Sequence, residues 1–436
     1  MPNELRASVI GAGLAGCEAA YQLAQRGISV RLIEMKPALR SPAHSSDDFA
    51  ELVCSNSLRS DRIQNAVGLL KEELRRLNSL ILRAADATRV PAGGALAVDR
   101  EDFSHLVTDT IRQHPKIEIV SCEVKQLPDS PAIVATGPLT AGALFTSIEE
   151  AAGGSLHFYD AAAPVLLAES LDMNIIFRAS RYGRGEDYLN CPMTREEYFA
   201  FYTELIGAKT AQLHEFETPR VFEGCMPVEA MAHRGERTLA FGPLKPVGLA
   251  DPRSPEKRRP YAVVQLRQDD KNATLYNIVG FQTNLTFPEQ RRVFRMIPGL
   301  KNAEFARYGV MHRNTFLKSP GLLGWDYQMI KRPGLYFAGQ ITGVEGYVES
   351  AASGLTAGLN LARALHGEPP VDFTRKTAIG ALAHYVSEYN GNDFQPMNVT
   401  YGIMEPLERA PRDKEQRYTQ MAERALKIVE ELQTNC

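Results

Sequence analysis

Residues 6–34 read RASVIGAGLAGCEAAYQLAQRGISVRLIE and set the tightest limit on the fold. Ala7 to Ile10 is a short apolar strand, and Gly11-Ala12-Gly13-Leu14-Ala15-Gly16 supplies a GxGxxG turn. Ala19, Ala20, Leu23 and Ala24 then recur at helical spacing, Gly27 ends the helix, and Ile28 to Ile33 forms a second strand closing with Glu34. Each residue type has a reason. Gly11 permits a tight turn, Gly13 lets backbone approach a pyrophosphate, and Gly16 lets the helix pack on the sheet. The helix N-terminus, through Leu14 and Ala15, offers free N–H groups and a partial positive charge to phosphates. Glu34, 18 residues past Gly16, stands where a carboxylate accepts ribose hydroxyls, which favours FAD or NAD over NADP.

A second segment far downstream favours FAD. Residues 335–339, LYFAG, form a buried-strand pattern ending in Gly339, followed by QITGVEGYVESAASGLTAGLNLARAL. This is a strand, a glycine-rich turn and a small-residue helix from about Tyr347. In flavoproteins of this type such a unit returns to the first domain and covers the flavin, so Gly339, Gln340 and Gly343 join the candidate cofactor-binding residues. Many such proteins carry Asp where Gln340 stands. Residues 132–137, AIVATG, resemble the third piece of the same fold.

The expected architecture is α/β: a Rossmann-like FAD-binding domain of glutathione-reductase type with a smaller inserted α+β domain. Residues 1–150 form its first part, 151–325 the insertion, and 326–436 the returning part with C-terminal helices. Two or so domains suit 436 residues, and 44% hydrophobic with 23% charged residues describes an ordinary globular protein. Within the first part, Ile63 to Arg83 reads as one amphipathic helix whose Lys71, Arg75, Arg76 and Arg83 form a solvated face, with an RNA contact as the alternative. Asp99 reads as the N-cap of the next helix, and Ile117 to Val124 as a strand. The opening MPNELRASVI reads as no signal peptide, and no apolar run approaches about 18 residues, so a cytoplasmic protein without a membrane span is expected.

The formal net charge of −3 points to no particular partner, so any phosphate-binding patch must be local. Lys245, Arg253, Arg258 and Arg259, in and near the Pro-rich loop DPRSPEKRRP, are candidates. The 6 cysteines are scattered without a CxxC pair, which suits reduced thiols better than disulfides or a structural metal. Two of them sit in unusual polar or turn-like segments: Cys54 in ELVCSNSLRS and Cys225 in VFEGCMPVE. Taken alone, each reads as an inert packed thiol.

These segments, together with GAGLAGCEAA, FGPLKPVGL, RRPYAVVQLRQ, LYNIVGFQTNLTFPEQ, FARYGVMHRNTF and FAGQITGVEGYVESAASG, closely resemble the folate- and FAD-dependent tRNA (uracil-5-)-methyltransferases nearly end to end. The resemblance implies methylation of carbon 5 of a T-arm uridine in tRNA. It implies 5,10-methylenetetrahydrofolate as carbon donor, FAD as bound cofactor, and NADH or NADPH as reductant. By the same carry-over Cys225 is the nucleophile at carbon 6 and Cys54 a second active-site thiol, with the reverse division open. His312 then stacks on the folate, with a structural histidine as the alternative, while Glu345 and Glu349 read as turn or cap acids. Competing readings are an NAD(P)H-linked flavin oxidoreductase acting on a small molecule and a noncatalytic folate- or tRNA-binding flavoprotein. The methylation reading depends on Cys54 and Cys225, 171 positions apart, meeting at one flavin, whereas the oxidoreductase reading expects them away from it.

Overall fold

Five parallel strands run in the order Leu335–Phe337, Ala132–Val134, Arg6–Ile10, Ser29–Glu34 and Ile117–Ser121. The computed structural model describes residues 4–41, 43–211, 226–251, 259–391 and 393–433, with side chains described except at 155–160 and 312–313. Arg6–Ile10 sits in the middle, with Val9 opposite Leu32 on one side and Ile133 on the other. Strands covered on both faces need near-continuous apolar runs, and Val9, Leu32, Ile133 and Val134 are fully buried. The late strand pairs with Ala132–Val134, so the first and last parts of the chain share one sheet, as the sequence predicts.

Small residues make that return possible. Helix Leu14–Gln25 packs along helix Tyr347–His366. A side chain at Gly354 would place its Cβ 2.2 Å from the Ala15 carbonyl oxygen, and one at Gly358 2.8 Å from that of Ala19. The backbones therefore touch, which explains the run AASGLTAGLNLA. Gly16 serves the adjoining contact, since a Cβ there would lie 1.8 Å from the Gly11 carbonyl oxygen.

The stretch expected as one helix over 63–83 is two, Ala66–Arg76 and Leu80–Ala87. Asn78 adopts a left-handed φ of 56°, and the Ser79 hydroxyl caps the second helix by accepting from the Leu82 amide at 3.2 Å. The buried Glu18 carboxylate takes the Ile81 amide at 3.0 Å and the Ser79 hydroxyl at 2.6 Å, stabilising the break. Nor is the basic face simply solvated. Arg75 pairs with Asp61 at 2.9 Å and Asp86 at 2.7 Å, and Lys71 is fully buried. Asp99 does cap helix Arg100–Arg112, accepting from the Glu101 and Asp102 amides, whereas the strand after it stops at Ser121.

The second sheet is antiparallel, in the order Phe177–Arg178, Tyr188–Met193, Ala262–Gln268, Leu275–Ile278, Val165–Leu167 and Phe305–Arg307. Helices Arg195–Ile206, Val228–His233 and Phe287–Phe294 cover it around a separate core containing Tyr198, Phe201, Phe281 and Phe294. An antiparallel ribbon of Ser155–Ala161 and Met311–Leu317 links it to the first unit. Strand Ser57–Ser60 pairs with Ala95–Val98 on the first unit's flank, and the two units are stitched there. Asn56 Nδ2 donates to the carbonyls of Val98 and Gln268, and Arg100 pairs with Asp269 at 2.8 Å. The segment carrying Cys54 lies at this seam.

Candidate active site

Three adjoining hollows form one trough from the glycine turn to the seam. The middle hollow, about 150 Å³, is bounded by Gly11 to Ala15, Glu34 and Gly339. It shares Glu34, His44 and Thr136 with an outer hollow of about 380 Å³. It shares Val53, Gln340 and Tyr347 with an inner one of about 270 Å³ that contains Cys54.

The glycine turn fits a dinucleotide. A Cβ on Gly13 would meet no protein atom within 4 Å, so the space beside that backbone is open to a ligand. Helix Leu14–Gln25 has no side-chain cap, leaving its first-turn amides to a phosphate. The buried Glu34 carboxylate binds the turn itself, accepting from the Ala12 amide at 2.7 Å and the Lys36 amide at 3.1 Å. Two predicted residues serve packing instead: Gly16 lies under the Gly11 carbonyl, and a Cβ on Gly343 would meet the Phe394 ring at 2.6 Å. Gln340 reaches the trough and donates from Nε2 to Glu345.

Cys54 is half-buried, and its sulfur lies 2.9 Å from the Tyr347 hydroxyl. The Tyr347 oxygen accepts the Cys54 amide at 2.8 Å and the Ser55 amide at 3.3 Å. With those donors already placed, the phenol's own hydrogen is free to point at the sulfur. Burial first, and then Cys54 beside it, hold the Tyr347 hydroxyl well above its ordinary pKa. Tyr347 begins the long late helix, so the helix that closes the dinucleotide site also positions this thiol.

The strand after Cys54 is fixed from beneath. Lys71 Nζ donates to the carbonyls of Leu58 at 2.7 Å and Ser60 at 2.6 Å, and burial pushes its pKa down to about 7. Arg59, at φ 63°, pairs with the fully buried Glu349, whose Oε1 also accepts the Val399 amide at 3.0 Å. Glu349 is thus a buried ion-pair partner rather than a helix cap.

Cys225 lies outside the described residues. The segment after it is anchored on the trough: the Val228 amide donates to the Gln282 carbonyl at 2.7 Å, and Gln282 lines the inner hollow. Glu229 secures the same turn through the Thr283 hydroxyl and Asn284 amide. His312 is in strand Met311–Leu317, two positions before Asn314, which lines the inner hollow, and its side chain is outside the described set. Of the basic candidates, Lys245 and Arg259 are exposed, while Arg253 and Arg258 lie outside the described residues.

Sequence reasoning missed Tyr347, Arg59, Arg267 and Asn314, which line the hollow around Cys54. Only their place within the segments GYVESAASG, SNSLRS, VVQLRQ and MHRNTF signalled them.

Residues 6–369 match the family model described as "GIDA: Glucose inhibited division protein A". The structure of Aquifex aeolicus GidA in its form II crystal superposes with a TM-score of 0.72 at 16% identity, over 99% of this chain and 74% of that one. Fold and trough therefore define a dinucleotide-binding protein of the GidA class. Narrower relatives carry the name methylenetetrahydrofolate--tRNA-(uracil-5-)-methyltransferase TrmFO. One from Acetivibrio thermocellus is 61% identical over 427 residues, covering 97% of this chain and 98% of its own. Another from Natranaerobius thermophilus is 58% identical, covering 98% and 99%. The chain belongs to this family of methyltransferases.

Proposed function

We propose that this protein methylates carbon 5 of a T-arm uridine in tRNA, with 5,10-methylenetetrahydrofolate as carbon donor and NADH or NADPH as reductant. The observation that carries the reading is the placement of Cys54, held by Tyr347 in a hollow continuous with the glycine-lined dinucleotide site. Gly11 to Ala15 and the Gly339-Gln340 turn would hold FAD, which when bound would supply the hydride chemistry that completes the methyl group.

Carbon 5 of uracil is a weak nucleophile until a thiolate adds at carbon 6. Cys225 is assigned that addition, and Cys54 the neighbouring proton or guarding role. Cys225 stands three positions before Val228 in the sequence, and the Val228 amide is anchored on Gln282 at the trough wall. His312 is assigned to the folate, on the strand that brings Asn314 to the same hollow. Residues 151–325 are read as the inserted unit, with the ribbon of 155–161 and 311–317 carrying the chain out and back. A tRNA substrate is consistent with a cytoplasmic protein.

The test supplies FAD-loaded protein with tRNA lacking the modification, methylenetetrahydrofolate and reduced nicotinamide. Formation of 5-methyluridine is expected; its absence with every component present would exclude this activity.

A further inference from the structure

Strand Ala262–Gln268 is buried along its length, and its Arg267 is only 8% exposed where it reaches the inner hollow beside Cys54 and Asn314. Among the described residues its guanidinium has neutral hydrogen-bond partners only. Nε donates to Asn56 Oδ1 at 3.0 Å, and Nη2 donates to Ser55 Oγ at 2.8 Å and Asn277 Oδ1 at 3.5 Å. The surrounding cations are paired differently: Arg59 with Glu349, and Arg100 with Asp269. Among the described residues no carboxylate lies at ion-pair distance from Arg267, and Nη1 has no hydrogen-bond partner.

A buried cation with no carboxylate at ion-pair distance is costly, and burial lowers the Arg267 pKa below its ordinary value although the more distant Asp269 charge opposes the shift. Arginine nonetheless stays protonated, so the charge is retained in the hollow. That arrangement suits a negative charge brought in, or created, by the substrate. A tRNA phosphate is a poor match, because the guanidinium sits at a buried wall rather than on the surface where the RNA backbone runs. A flipped base reaches such a wall.

Resting on the uracil reading above, we propose that Arg267 is a further catalytic residue, which receives the uracil O4 and holds the negative charge that develops there. When the cysteine thiolate adds, its electron pair forms the S–C6 bond and the C5–C6 π pair moves to C4–C5. The C4–O4 π pair then moves onto oxygen. Charge passes from sulfur to O4, no atom leaves, and no oxidant or reductant is needed. Arg267 stabilises this enolate without giving up its proton, so carbon 5 keeps the electron density needed to attack the one-carbon unit.

The experiment measures two things on FAD-loaded protein: steady-state methylation of tRNA, and formation of a denaturation-stable protein–RNA adduct on tRNA bearing 5-fluorouridine at the target. For Arg267→Gln the expected result is a loss of about a hundredfold in both kcat and adduct rate, with KM for tRNA and the flavin spectrum kept. Arg267→Lys should recover about tenfold over Gln, because it keeps the charge but not the fork. A glutamine variant forming adduct at the wild-type rate, a loss confined to KM, or a lysine variant no better than glutamine each overturns the inference. If Arg267→Gln fails to hold flavin, Arg267→Lys is compared with Ser55→Ala, which removes a hydroxyl partner but leaves the cation. A slower adduct rate in Arg267→Lys alone supports the inference, and equal rates overturn it. Wild-type protein that makes 5-methyluridine yet forms no adduct overturns this inference and leaves the methylation reading intact. Wild-type protein that does neither removes both.

Discussion

The Cys54 sulfur and the Tyr347 hydroxyl are 2.9 Å apart although 293 positions separate them in the chain. Their contact joins the loop at the inter-unit seam to the first turn of the helix that closes the dinucleotide site. Tyr347→Phe removes the hydroxyl while keeping the ring. The expected outcome is about a hundredfold slower methylation with flavin content unchanged, read by 5-methyluridine formation and flavin absorbance. Wild-type rates would show that the phenol does nothing for Cys54.

Substituting either cysteine separates chemistry from cofactor binding. Cys225→Ala and Cys54→Ala should each retain flavin yet lose 5-methyluridine formation. Adduct formation on fluorinated tRNA should vanish only for the nucleophile. Loss of the adduct in Cys54→Ala but not in Cys225→Ala would reverse the assigned roles.

Gly13 and Gly16 make a contrasting pair. A Cβ at Gly13 enters open space, whereas one at Gly16 collides with backbone at 1.8 Å. Gly13→Val should therefore fold with nearly unchanged thermal stability but bind no flavin. Gly16→Val should lose about 3 kcal/mol or more, since backbone rather than a flexible side chain must move. Thermal melting with a flavin titration checks both, and equal melting temperatures would contradict the stated packing.

Lys71 gives stability a definite pH dependence. Its folded pKa is about 7 against an ordinary 10.5, so at neutral pH and below the folded state bears the full penalty of a buried ammonium. Between those values the unfolded chain binds the extra proton, and stability rises with pH. The stability difference between wild type and Lys71→Met should therefore shift in favour of wild type from about pH 6 to about pH 10. Denaturant titrations across that range test the sign, and a flat or opposite trend would exclude it.

Much of the fold was legible because it depends on local rules. GAGLAG between an apolar strand and an alanine-rich helix specifies its own turn, and the late LYFAG strand with its small-residue helix announces a close return to that helix. The break at Asn78 and Ser79 was hidden because the apolar stripe continues across it, while Glu18, distant in sequence, supplies the bonds that stabilise the second helix. Lys71 was misread for a related reason: periodicity places an amine on a face but does not show the three carbonyls gathered beneath it. Arg267 gave no sign in a wholly buried strand, because its meaning depends on which carboxylates fall short of ion-pair distance. Cys54 stood out only through family likeness, since the phenol that distinguishes it from a packed thiol comes from the far end of the chain.

The dinucleotide trough is lined by segments far apart in chain order, with Gly13 and Gly339 both in its wall. A chain emerging from the ribosome has its glycine loop early but no complete wall until the late strand and helix have been made. Firm retention of the yellow cofactor therefore reports that synthesis has passed that helix and that it has docked on its early partner.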